Sequence, residues 1–291
     1  MTITLLDGGM GQELLSRSGA RPTGLWATQV MREFPDLVQQ IHADYFESGA
    51  DIATTNSYAI HRDRLIPFGI ENQFQALQIQ ACEIANRARD KFGSGQIAGA
   101  IGPTGASYRP DLALAIEQGA ELYAEIANIQ APYVDFILLE TIASIQQATG
   151  AVIGAKQVGK PVWLAVSVDD EDGTKLRSGE DILGILDIVK EHAVDALLIN
   201  CSTPEAVSTG LNRLGVQTFP IGAYANGFTE ITSAFKRDLP TVDALKSRQD
   251  LGPDEYLSFA ERWLGSGATI VGGCCEVGPA HIAKLHSALR A

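Results

Sequence analysis

The chain has 291 residues, 45% of them hydrophobic and 20% charged, a composition that fills a large core and excludes intrinsic disorder. Its 22 Lys and Arg against 35 Asp and Glu leave a net charge of −13, which repels phosphate backbones and argues against a nucleic-acid partner. No run approaches about 18 consecutive apolar residues, the start MTITLLDGGMG carries no basic region or cleavage pattern, and four unevenly spaced cysteines make no disulfide framework. The expectation is a soluble cytoplasmic protein with no membrane partner, whose thiols are free or bound to metal.

Eight short apolar runs follow one another along the chain, at residues 3–6, 51–55, 97–101, 136–140, 162–168, 196–200, 221–225 and 268–272. Most are continuous rather than alternating, as expected of parallel strands covered on both faces. Between them lie stretches with helical spacing. In residues 35–48, Pro35 suits the first helical position, Leu37, Val38, Ile41, Tyr45 and Phe46 recur at three and four, and Gly49 is the stop. Residues 70–92, 112–130, 179–191 and 254–264 read the same way, and no Pro/Gly/Ser linker divides the chain. Eight strands alternating with helices over this length predict an α/β protein with a single (β/α)8 TIM barrel domain spanning residues 1–291. A doubly wound sheet is the competing architecture. The nearest thing to its dinucleotide fingerprint, Gly93, Gly95 and Ala98, precedes a strand instead of following one.

In a barrel of this kind the chemistry sits at the C-terminal ends of the strands. DGGMGQEL follows the first run, TTNSY the second, GPTG the third, LLET the fourth, INCS the sixth, YANG the seventh and GGCC the eighth. Three of the four cysteines, Cys201, Cys274 and Cys275, therefore fall on the catalytic face, whereas Cys82 lies on a helical stripe as a packed core thiol. Three thiolates from two strand ends can bind one zinc ion and leave its fourth position open. A vicinal disulfide, or three small buried hydrophobes, would satisfy the same spacing. Adjacent residues of a strand point to opposite faces, so Cys274 and Cys275 can share a metal only if the chain turns, which Gly272 and Gly273 would permit. An electron-rich thiolate site activates water weakly but suits a thiol substrate held as a further thiolate, whose partner would be a methyl group on a sulfonium or quaternary ammonium. Asn56 and Asn226 are polar candidates at strand ends, and the five histidines form no tight ligand spacing.

DGGMGQEL, INCS and GGCC, in this order and spacing, resemble the homocysteine S-methyltransferases, which include the S-methylmethionine:homocysteine and betaine:homocysteine enzymes; the likeness runs from Leu6 to the C-terminal helix. The resemblance implies Cys201, Cys274 and Cys275 as zinc ligands with homocysteine sulfur as the fourth. It implies Asp7 and the Gly8 and Gly9 backbone beside homocysteine, and Glu140 on its ammonium group. Trp26 and Tyr58 stand where the family places aromatic residues around the cationic methyl donor, S-methylmethionine in first place, then S-adenosylmethionine and betaine. The product would be methionine. The rivals are a zinc-dependent barrel hydrolase, disfavoured because such sites draw on His and carboxylate ligands, and a non-catalytic zinc- or thiol-binding barrel. A homo-oligomer is compatible with any of these and is not readable from the helix faces.

Overall fold

The structure, a computed structural model, describes residues 2–19, 23–25, 27–232, 235 and 245–290. Eight parallel strands, β1 (Thr4–Leu5), β2 (Ile52–Thr54), β3 (Gln96–Ile101), β4 (Phe136–Ile142), β5 (Val162–Val166), β6 (Ala196–Asn200), β7 (Ile221–Tyr224) and β8 (Ile270–Val271), pair in the order β1-β8-β7-β6-β5-β4-β3-β2. The ring closes between β1 and β2, where the Asp7 amide donates to the Ile52 carbonyl at 3.0 Å and the Asp51 amide to the Leu5 carbonyl at 2.7 Å. This is the (β/α)8 barrel that the alternation of runs and helical stretches predicts.

Most strand side chains are buried on both faces, and they divide between two clusters. Ala98, Ala165 and Ala196 point with Phe136, Leu138 and Leu198 into a small interior cluster, whereas Ile137, Leu139, Leu197 and Ile199 join the large cluster shared with the helices. Small residues opposite large ones fill a tapering interior without voids. Only β6 keeps the bounds read from the sequence, and the other strands differ by one or two residues at one or both ends. β1 and β8 are only two residues long, and β4 continues past Glu140 to Ile142 through a register shift between Leu139 and Ile142.

The helices are α1 (Met10–Ser18), α2 (Ala27–Glu33), α3 (Pro35–Glu47), α4 (Arg62–Leu65), α5 (Phe74–Phe92), α6 (Ile116–Gln130), α7 (Ile145–Ala155), α8 (Ile185–Glu191), α9 (Pro204–Leu214), α10 (Pro253–Gly265) and α11 (Pro279–Leu289). Of the five helical stretches read from the sequence, α3 and α10 match within a residue. α5, α6 and α8 begin later than expected: a 3-10 turn at Glu71–Gln73 precedes α5, residues 113–115 between the Pro110–Leu112 turn and α6 are not helical, and a 3-10 turn at Ile182–Gly184 precedes α8. None of the described helices is long and apolar enough to cross a membrane.

Tyr256 of α10 ties the helix layer to the catalytic end of the barrel. Its buried hydroxyl donates to the Gly272 carbonyl at 2.7 Å and accepts from the Ala225 amide at 3.0 Å, bridging the ends of β7 and β8. Tyr256→Phe keeps the ring but strands a buried amide. The expected loss is about 1–3 kcal/mol, read as a lower urea midpoint with an unchanged slope; an unchanged midpoint would mean that water replaces the hydroxyl.

Candidate active site

The strand ladder continues past β6 and β8 into the cysteines. The Cys201 amide donates to the Tyr224 carbonyl at 3.1 Å and the Cys274 amide to the Ala225 carbonyl at 3.0 Å, so consecutive carbonyls at the end of β7 set both positions. Beyond Cys274 the chain turns tightly, with the Val277 amide on the Cys274 carbonyl at 3.1 Å and the Gly227 amide on the Cys275 carbonyl at 2.8 Å. The turn expected from two adjacent cysteines is present, but the residue with positive φ is Glu276, at 67°. Gly272 and Gly273 serve close packing instead: a Cβ would lie 2.5 Å from the Leu6 side chain at Gly272 and 2.2 Å from Val277 at Gly273.

The three sulfurs lie within 4.8 Å of one another, with Cys201 Sγ 2.7 Å from Cys274 Sγ and 3.9 Å from Cys275 Sγ. A tetrahedral metal with metal–sulfur bonds of about 2.3 Å spaces its thiolates about 3.8 Å apart. The Cys201–Cys275 pair already fits, and Cys274 needs to swing out by about an ångström to match that edge. All four cysteines are free thiols, and Cys82 is buried away in α5. The donor set therefore fits a soft metal ion with an open position.

Around the thiols lies a pocket of about 970 Å³, counting the part open to solvent, which brings together Asp7, Gly8, Gly9, Asn56, Tyr58, Glu140, Cys201, Cys274 and Cys275. Of the described candidates named from the sequence, only Asn226 does not line it. Trp26 lies outside the described residues. Gly8 and Gly9 are packed against the cysteine turn, since a Cβ would stand 2.1 Å from the Val277 carbonyl oxygen at Gly8 and 2.6 Å from that of Cys274 at Gly9. The Gly9 amide is already bonded to Val277 at 2.9 Å. Met10, Gly11 and Gln12, in the first turn of α1, line the pocket as well, and the first amides of a helix have no partner within it.

Asp7 is buried and accepts from the Thr54 amide at 2.7 Å and the Thr54 hydroxyl at 3.1 Å; burial outweighs these bonds and pushes its carboxyl up to about 7. Glu140 accepts from the Tyr224 hydroxyl at 2.9 Å, and burial, reinforced by the negative charge of Asp7 and Cys201, pushes it up to about 8. It shares the inward face of β4 with Leu138 and Phe136, two and four residues earlier, and the β4 irregularity lies between Leu139 and Ile142. Thr141 has φ 59°, held by Asn200, whose Oδ1 accepts the Thr141 amide at 3.0 Å and whose Nδ2 donates to the Thr141 hydroxyl at 3.1 Å.

Asn56 donates to the Ala27 carbonyl at 3.2 Å and fixes the start of α2. Tyr58 pairs with the Ser107 hydroxyl at 2.8 Å and carries the Arg64 guanidinium 5.8 Å from its ring centroid. Sequence reasoning missed Tyr108, Phe228 and Phe235, which pack with Cys201, Cys274 and Cys275 in one cluster. Tyr224 stands inside the YANG motif and Tyr108 three residues beyond GPTG, so both were within reach of the strand-end rule. Asn226 is buried, and its Nδ2 has no partner among the described residues.

A parallel barrel with three converging thiols and two buried carboxyls at its C-terminal mouth is an enzyme architecture for thiol chemistry. The homocysteine S-methyltransferase family profile matches residues 4–289. The chain is 28% identical to the homocysteine S-methyltransferase of Escherichia coli, over 97% of this chain and 94% of that one. It is also 28% identical to the Bacillus subtilis homocysteine S-methyltransferase YbgG, over 97% and 93%. The metallated crystal form of the homocysteine methyltransferase MmuM from Escherichia coli superposes with a TM-score of 0.83 at 25% identity, covering 100% of this chain and 97% of that one. The chain belongs to the homocysteine S-methyltransferase family and is a methyltransferase.

The raised Glu140 carboxyl makes a pH-dependent contribution to stability. Its folded value of about 8 exceeds the ordinary 4.5, so its contribution is fully present below pH 4.5 and is lost as pH rises toward 8. Relative to Glu140→Gln, the urea midpoint of the wild type is expected to fall across that window and level off above it. Parallel curves for the two proteins would place Glu140 in the ordinary carboxylate range.

Proposed function

We propose that this chain transfers a methyl group from a cationic donor to the sulfur of homocysteine, forming methionine, at a zinc site made by Cys201, Cys274 and Cys275. The observation that carries the reading is the convergence of three thiols at the base of a pocket that also holds Asp7 and Glu140. Zinc, when bound by the three cysteines, would keep the acceptor sulfur as thiolate at neutral pH.

The remaining work falls to the chain itself. Glu140, neutral in the unliganded pocket, ionises against the α-ammonium of homocysteine, and the Tyr224 hydroxyl holds the carboxylate in place. The first turn of α1 offers backbone amides to the α-carboxylate. Asp7, braced by Thr54, lies beside the amino acid and adds a second acceptor. On the other side the aromatic residues Tyr58, Tyr108, Phe228 and Phe235, with Trp26 by family resemblance, offer ring faces to a sulfonium or ammonium and exclude water. Transfer then requires sulfur, methyl carbon and leaving group to be held in line, and two opposite charges cancel as the methyl moves. S-methylmethionine is the donor we favour, with S-adenosylmethionine and betaine as the others that the resemblance allows.

The test is zinc content together with methionine formation from homocysteine, with the three donors offered in parallel to reduced protein. We expect one zinc per chain and turnover, with Cys274→Ser losing both. Full activity of metal-free protein would sink the scheme, and zinc without methyl transfer from any donor would turn the reading toward a binding protein. Trp26→Ala is expected to raise the half-saturating donor concentration several-fold more than that of homocysteine; equal effects on both would remove Trp26 from the donor site.

A further inference from the structure

We propose that Tyr108 is a positioning residue for the thiol site, its hydroxyl donating to the sulfur of Cys201 and its ring held from behind by the partly buried Arg177–Asp170 ion pair. The inference rests on the zinc reading above and goes beyond it by assigning a role to the loop at residues 169–180, which otherwise has none.

Tyr108 lies on the loop after β3, 93 residues from Cys201 in sequence, yet its hydroxyl is 3.0 Å from Cys201 Sγ. It is 5% exposed, and its backbone sits at φ 60°, a conformation that a bulky side chain keeps only when its surroundings over-determine it. Those surroundings are visible. The Arg177 guanidinium carbon lies 5.1 Å from the centre of the Tyr108 ring, and the Phe235 ring is 6.0 Å away. The Arg177 side chain is 3% exposed and that of Asp170 13%; the guanidinium forks onto Asp170 at 2.7 and 2.9 Å, with its Nε donating to Ser167 at 3.1 Å. Asp170 in turn accepts the amides of Thr203, two residues after Cys201, at 3.0 Å, and of Ile231 at 3.3 Å. One ion pair thus joins the β5 loop, the Cys201 turn and the segment after β7 behind a single phenol.

A hydrogen bond to a thiolate draws charge from the sulfur and fixes its rotamer. Such outer partners orient a metal's ligands, and losing one typically costs 10–100-fold in affinity. The guanidinium can supply no bond to Cys201 through the ring. Its part is to hold the ring where the hydroxyl reaches the sulfur, and to polarise the phenol toward donation.

Tyr108→Phe removes only the hydroxyl. Zinc affinity, measured by competition with a chelator, is expected to fall about tenfold, with the thermal midpoint of the zinc-loaded protein measured alongside. In the cobalt(II)-substituted protein the sulfur-to-metal charge-transfer band is expected to move to lower energy, because a thiolate without a donor gives up its electron more readily. Arg177→Lys, which keeps a cation for Asp170 but loses the planar fork, is expected to shift the band in the same direction by less. Unchanged affinity and an unchanged band in Tyr108→Phe would overturn the proposal while leaving the zinc site standing. A wild-type protein that takes up no zinc would overturn both.

Discussion

The site depends on the carbonyls of Tyr224 and Ala225. These two consecutive groups at the end of β7 receive the amides of Cys201 and Cys274, which are 73 residues apart in sequence. A parallel ladder repeats every two residues along each strand, so the spacing of two thiols is inherited from the backbone of the strand between them. The Tyr256 hydroxyl on the Ala225 amide and the Gly272 carbonyl then fixes the same strand ends from the helix layer. A site resting on three parallel strands and one buried tyrosine is more rigid than a site on loops, as is required of ligands that must share one ion.

Backbone strain is concentrated at this mouth. Of the five non-glycine residues with positive φ among those described, Tyr108, Thr141, Cys201 and Glu276 all border the pocket or its cysteine turn, and only Ala193 lies away from it, beyond the end of α8. Each such residue costs on the order of 1 kcal/mol or more. The conformations persist because specific partners hold them: the Asn200 carboxamide on Thr141, the ladder on Cys201, and the Cys274–Val277 bond beneath Glu276. Asn200 has a double effect, since it clamps Thr141, the residue after Glu140, and directly precedes Cys201. A single buried amide thereby couples the residue proposed for the substrate ammonium to one of the proposed ligands.

The barrel was legible because its evidence is local and repeated. Most strands are continuous apolar runs, the runs end in turn-forming residues, and the count of eight is enough to select the architecture. The cysteines were legible as a candidate site through one further rule, that chemistry collects at strand ends, whereas the same rule gave Asp7 and Glu140 a place and only the family resemblance gave them a role. What pairing alone decides was not legible. Tyr108 meets Cys201 across 93 residues and Tyr224 meets Glu140 across 84, and neither contact leaves a periodicity in the chain. The extension of β4 past Glu140 was hidden for a related reason. A register shift is a property of two strands, and it makes a residue that reads as a strand end into one that sits inside the strand. Gly272 and Gly273 carry the reverse lesson: glycines beside a turn suggested backbone freedom, whereas the space they leave for Leu6 and Val277 is what the packing uses.

The electrostatics of the pocket explain why two acidic side chains can be buried beside three thiols in a chain that already carries a net charge of −13. Burial raises both carboxyls, Asp7 to about 7 and Glu140 to about 8, so the unliganded pocket holds less negative charge than its composition implies. An isolated carboxylate in such surroundings would cost several kcal/mol, and protonation avoids that cost. On the proposed reading, the incoming ammonium is the counter-ion that makes ionisation of Glu140 favourable, and the Tyr224 hydroxyl is already in place to receive the charge. Recognition of the amino acid and discharge of a proton from Glu140 are then one event. An uncharged analogue of the same shape would have to leave that carboxyl protonated and forgo the ion pair, so the buried acid discriminates by charge before any contact with sulfur is made.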